Sequence, residues 1–149
     1  MQLKKTIVSR FIEDYDFNYE IIHSHQMQSG DLALFEVLTI GKHESAQMVD
    51  GRNRSIFPGD HIVATFADRY ATSQFEGYVP TSPQEEYDIL GAGGVIGIVK
   101  SKNAAFKDIE PTKVKLIAYC CDKTGQVINT KFNTQYRSSF TGKVKPKVI

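Results

Sequence analysis

The chain has 149 residues, 41% of them hydrophobic and 23% charged, with a formal net charge of +1. That length suits one domain with a core of its own, and the balance is that of an ordinary globular protein. A net charge this close to zero gives no overall field to draw in nucleic acid or an anionic membrane, so neither is expected as a partner.

In chain order, residues 6–12 alternate weakly and residues 18–25 are rich in strand formers. The polar turn 13–16 lies between them, which predicts a hairpin or two separate strands. Gly30-Asp31 then opens the apolar run 32–40, which Gly41 ends. Residues 43–49 lead into Asp50-Gly51, a hairpin-turn dipeptide. Residues 52–57 run to Pro58-Gly59, and a strand is expected over 61–66. Ser82-Pro83-Gln84-Glu85 offers an N-cap serine, a proline at the first helical position and a glutamate three residues after the cap. This predicts a short helix near 83–90, ended by Gly91. Residues 93–100 read as an apolar strand entered by glycines, and residues 113–121 as a longer strand behind Pro111. Lys123-Thr124-Gly125-Gln126 is a turn before a strand over 127–132.

The predicted fold class is therefore mostly β: a small closed or partly open β-barrel of eight or nine short strands with one short helix. A single barrel domain is expected over residues 1–140, with the strands of 1–25 either part of it or an appendage, and a basic tail or linker over 141–149. The last nineteen residues hold Lys131, Arg137, Lys143, Lys145 and Lys147 and no acid. This end reads equally as a frayed tail or as a linker into a further domain, so the chain is expected to be either a whole protein or the N-terminal part of a larger one. No stretch approaches eighteen apolar residues and the N-terminus lacks an apolar signal core, which predicts a cytoplasmic protein with no membrane contact. The adjacent Cys120 and Cys121 point to opposite faces of their strand, so two reduced thiols are expected rather than a disulfide.

Two turn-to-strand junctions of one kind stand 29 residues apart, Gly30-Asp31-Leu32-Ala33-Leu34-Phe35 and Gly59-Asp60-His61-Ile62-Val63-Ala64-Thr65-Phe66. Glycine takes the positive φ of a tight turn, and the aspartate side chain caps it before the strand begins. The pair resembles the GD box of cradle-loop barrels, the group that includes double-psi and swapped-hairpin barrels, over about residues 20–120. The resemblance implies a barrel in which such turns steady a crossing loop. It implies no activity, because one fold hosts many functions.

Functional side-chain types are densest between residues 68 and 80. Arg69 has the planar fork that clamps a carboxylate or phosphate, Thr72 and Gln74 supply hydrogen bonds, and Tyr70 and Tyr78 supply stacking surfaces. Glu76 is a base or a partner for Arg69. The competing reading is a strand pair with Tyr70, Phe75 and Tyr78 in the core and an Arg69–Glu76 ion pair outside. The run Gly91-Ala92-Gly93-Gly94-Val95 places successive amides where an anion nest would have them, although a helix C-cap at Gly91 with a turn or bulge at Gly93 and Gly94 accounts for it better. Its spacing is neither a dinucleotide fingerprint nor a P-loop, and no cofactor is expected. His23 and His25 would share one face of a strand with His43 or His61 as a third ligand, but no recognised zinc spacing accompanies them and no metal is expected. Cys120 and Cys121 have no activating neighbour.

These features converge on a ligand-binding or regulatory barrel module that recognises a small anionic molecule. Arg69, Tyr70, Thr72, Glu76, Tyr78, Gly93 and Gly94 would form one pocket within a 27-residue stretch. One alternative is a small enzyme on an anionic or carbohydrate-like substrate, with Glu76 as acid/base assisted by Tyr78 or Thr72. Another is an assembly module that joins copies of the chain, or a larger partner domain, through edge strands.

Overall fold

The computed structural model describes residues 3–68, 76–101 and 110–131. Five strands close a barrel: β3 (Leu32–Thr39), β6 (His61–Phe66), β8 (Tyr87–Gly91), β9 (Val95–Ser101) and β10 (Lys113–Cys121). They run in the order β6-β3-β10-β8-β9 and return to β6, every pair antiparallel except the closing β6–β9 pair. Five further strands are attached among the described residues: β1 (Leu3–Lys5), β2 (Asp16–Asn18), the hairpin of β4 (Ser45–Gln47) and β5 (Asn53–Ser55), and β7 (Glu76–Tyr78). β1 lies parallel to β6 along Leu3–His61 to Lys5–Val63, and β9 takes over the same edge of β6 at Thr65–Val95. The mostly-β barrel read from the sequence is the fold.

Strand β3 is apolar almost throughout because both its faces are buried. Ala33, Phe35 and Val37 point into the barrel with Ile62, Ala64, Phe66, Tyr87, Ile96 and Val114. Leu32 and Leu34 point outward and join Val63, Ala118, Cys120 and Ile128 under a cover from Ile12, Tyr15 and Phe17. The N-terminal segment therefore covers a second core. In β10 the register shifts between Leu116 and Ala118, so Ile117 is an extra residue in the ladder. That shift is why Val114 and Leu116 face the barrel at even positions, while Tyr119 and Cys121 do so at odd ones. Both cysteines are buried and free, on opposite faces of the strand.

The helix expected near 83–90 is a correction. Residues 87–91 form β8, all five buried. Tyr87 and Ile89 fill the barrel, and outward-facing Asp88 accepts from Val99 N (2.8 Å) and from Lys113 Nζ (2.7 Å). Capping signals are local and weak, and here burial of an aromatic and an isoleucine in a closing sheet outweighs them. The one helical feature between residues 3 and 68 is a 3-10 turn at Ile7–Ser9, where a strand had been expected. Residues 21–25 are likewise a turn, with Ser24 N and His25 N both bonded to Ile21 O.

The two Gly-Asp turns make equivalent bonds. Gly30 has φ +99° and Gly59 φ +94°. Asp31 Oδ2 accepts from Gln28 N at 2.9 Å, and Asp60 Oδ2 from Phe57 N at 3.0 Å. Each turn also bonds to the end of the other strand: Gly30 N donates to Phe66 O and Phe66 N to Asp31 O, while Gly59 N donates to Val37 O and Val37 N to Asp60 O.

Candidate binding site at one end of the barrel

β3 begins at the end of the barrel where β6 and β10 finish, and residues 21–28 cross that end with Ile21, Ile22 and Met27 packed onto the core. Asp31 is the buried charge there, its side chain 4% exposed. Three donors converge on it: His25 Nε2 (2.8 Å) and Gln28 N (2.9 Å) on Oδ2, and Asn129 Nδ2 (3.1 Å) on Oδ1. Burial of a carboxylate is tolerable only with such partners. Asn129 is fixed in turn, donating to Ser29 O (3.0 Å) and accepting from Lys131 N (3.0 Å). Thr130 closes the corner by donating to Gly30 O at 2.9 Å.

His25 is held at a second point. Its ring meets Tyr119 edge-on, with centroids 4.6 Å apart, and Phe66 and Tyr87 continue the aromatic packing inward. With Nε2 turned to the carboxylate, the other ring nitrogen makes no hydrogen bond among the described residues, and a quarter of the side chain is exposed. It lines an open cleft of about 460 Å³, together with Ser24, Gln28, Asp31, Gln126 and Asn129. Tyr119 is fully buried, and its hydroxyl has no hydrogen-bond partner among the described residues. Burial first, then the charges of Asp31 and Tyr87, push that phenol's pKa upward. Across residues 21–25 lies a second groove of about 620 Å³, lined by Ile22, His23, Pro83, Glu86, Tyr87 and Lys115.

The residues singled out from the sequence are distributed differently. Arg69, Tyr70 and Thr72, with Gln74 and Phe75, lie outside the described residues, as does the tail 141–149. Glu76 is half-buried opposite Ser101, and Tyr78 is 41% exposed opposite Ile98. Gly93 and Gly94 precede the other end of β9, about 20 Å of strand away from Glu76 at the usual rise. The structure thus separates Glu76 from the glycine turn. That turn is also occupied: Gly94 N bonds to Gly91 O (3.1 Å), Val8 N bonds to Gly93 O (3.4 Å), and Thr6 packs directly on Gly94 (φ +105°). His23 and His25 diverge into separate clefts rather than sharing a strand face.

Sequence reasoning missed the His25–Asp31 pair because it treated the histidine as a metal candidate and the aspartate as a turn cap only. The six-residue spacing between them is no motif. Comparison with protein-family models, with curated proteins and with solved structures gives no match to this chain.

Proposed function

We propose that the chain is a recognition module: the closed barrel is a rigid support, and the cleft beside His25 and Asp31 receives a small polar molecule. The supporting observation is the fixed imidazole, bonded to Asp31 at 2.8 Å and backed by Tyr119, on a residue that lines an open cleft and whose other ring nitrogen makes no hydrogen bond among the described residues. A ring already held in place forfeits little rotamer entropy on binding, which is what recognition needs. The narrower expectation of an anion rests on Arg69, outside the described residues, so it adds nothing at this cleft. The test is a fragment titration followed through the histidine ring resonances. Saturable shifts confined to His25 support the reading; shifts spread over His23, His43 and His61, or none at all, refute it.

Catalysis is the second reading, favoured by the same bond. A carboxylate on one imidazole nitrogen fixes tautomer and orientation, as a general base requires. His25, not Glu76, would then be that base. In this reading His25→Gln leaves fragment affinity within a few-fold and abolishes turnover.

A further inference from the structure

We propose that the edge of β10 at Leu116 takes a short extended peptide segment bearing a basic side chain, bound by strand addition in the groove across residues 21–25. The site is apart from the His25 cleft, so it stands or falls independently of the recognition reading. Strand β10 pairs with β3 along one edge, and two strands share its other edge. β8 covers that second edge at Lys113 and Val114, and β2 covers it at Tyr119, Cys120 and Cys121. Val114 and Tyr119 are about 16 Å apart along the strand at the usual rise. Successive residues of a strand turn their N–H and C=O to opposite edges. Thr112 O accepts from Ile89 N on the β8 side, which sends Val114 and Leu116 to that side as well. β3 agrees: Val37 N bonds to Asp60 O on the β6 side, so Phe35, opposite Leu116, also turns its backbone to β6. Leu116 N–H and C=O therefore face the gap between β8 and β2, with no hydrogen-bond partner among the described residues.

The chain before β8 and the chain after β2 both leave the ladder here, and Leu116 lines the groove of about 620 Å³ beside them. A backbone donor and acceptor on one strand residue are matched by the acceptor and donor of one residue of an added strand. The gap leaves room for about three such residues. Charge narrows the occupant. Glu85 and Glu86 are exposed on the wall before β8, and neither makes an ion pair among the described residues. Lys115 alone among the lining residues carries a full positive charge, so the groove is net negative and a Lys or Arg on the added segment complements it.

The experiment follows amide exchange and backbone chemical shifts of the full chain at pH 7 with three blocked probes. These are acetyl-Lys-Val-Lys-amide, its analogue N-methylated at Val, and acetyl-Glu-Val-Glu-amide. In the free chain the Leu116 amide is expected to exchange at least about tenfold faster than those of Val114 and Tyr119. Equal protection means that the edge is already closed and overturns the proposal. The Lys-Val-Lys probe is expected to slow that exchange and to shift Leu116 saturably; no shift with any probe overturns the site. Binding unchanged by N-methylation overturns strand addition, and equal binding of Glu-Val-Glu overturns the charge argument. Glu85→Lys with Glu86→Lys, at two exposed positions, is expected to weaken the basic probe about tenfold, and unchanged affinity overturns the same argument. Protection of Leu116 that rises with protein concentration alone makes a second copy of the chain the occupant and overturns the peptide assignment.

Discussion

Replacing Asp31 by Asn tests how the His25 corner is held. Asp31 caps its Gly-Asp turn through Oδ2, and an asparagine oxygen can keep that bond. Three donors reach the carboxylate, and hydrogen bonds to charged groups exceed neutral ones by about 1 kcal/mol each, so losing the charge costs about 3 kcal/mol. Those donors occupy both oxygens, and whichever way the amide sits its NH2 meets a donor. Asn129 cannot turn over to accept without breaking its bonds to Ser29 O and Lys131 N. A buried donor is left facing a donor, which adds about 1–3 kcal/mol. Asp31→Asn should therefore lose about 4–6 kcal/mol in urea unfolding at pH 7, with an unchanged m-value. A loss below about 2 kcal/mol would refute the account of Asp31 as the buried charge that holds the His25 corner together.

Three other expectations can be checked with the same measurement. Gly94→Ala and Gly59→Ala both force alanine into a positive φ, about 1–2 kcal/mol each, but only at Gly94 does the new Cβ fall 2.7 Å from Thr6 Cβ. Overpacking there adds about 1–3 kcal/mol; equal losses would mean the N-terminal segment is not seated on the turn. Deleting Ile117 removes the extra residue of β10 and leaves Leu116 and Tyr119 facing inward, so it should cost far less than deleting Val63 from β6, whose ladder to β3 has no extra residue to absorb the loss. A deletion at 117 that unfolds the chain as fully as one at 63 would contradict the register. Finally, burial raises the Cys120 thiol above its usual 9.0, and burial with the Cys120 charge raises the Tyr15 phenol from 10.0 to about 12. The unfolded chain releases these protons first, so their stabilisation is complete below about pH 9 and is lost as pH rises towards 12. Urea midpoints should fall from pH 8 to pH 10.5, and less steeply in Cys120→Ala; a flat profile would show the two groups to be solvated.

The sequence by itself determined the strands whose identity is local. β6 at 61–66 and β10 at 113–121 were legible to the residue, because β-branched runs between Gly, Pro and Asp turns satisfy both local geometry and burial. So was the capping role of Asp31 and Asp60, which needs only the three residues before each. Tertiary structure alone decided β8, where barrel closure overrode a helix start. It decided the seat of β1, set by an open edge of β6 58 residues away. It also decided the meeting of His25 with Asp31, Asn129 and Tyr119, since no spacing encodes which loops converge where three strands end. Local bonds are written within a few residues of chain, whereas a cleft is made by segments that only the closed sheet brings together.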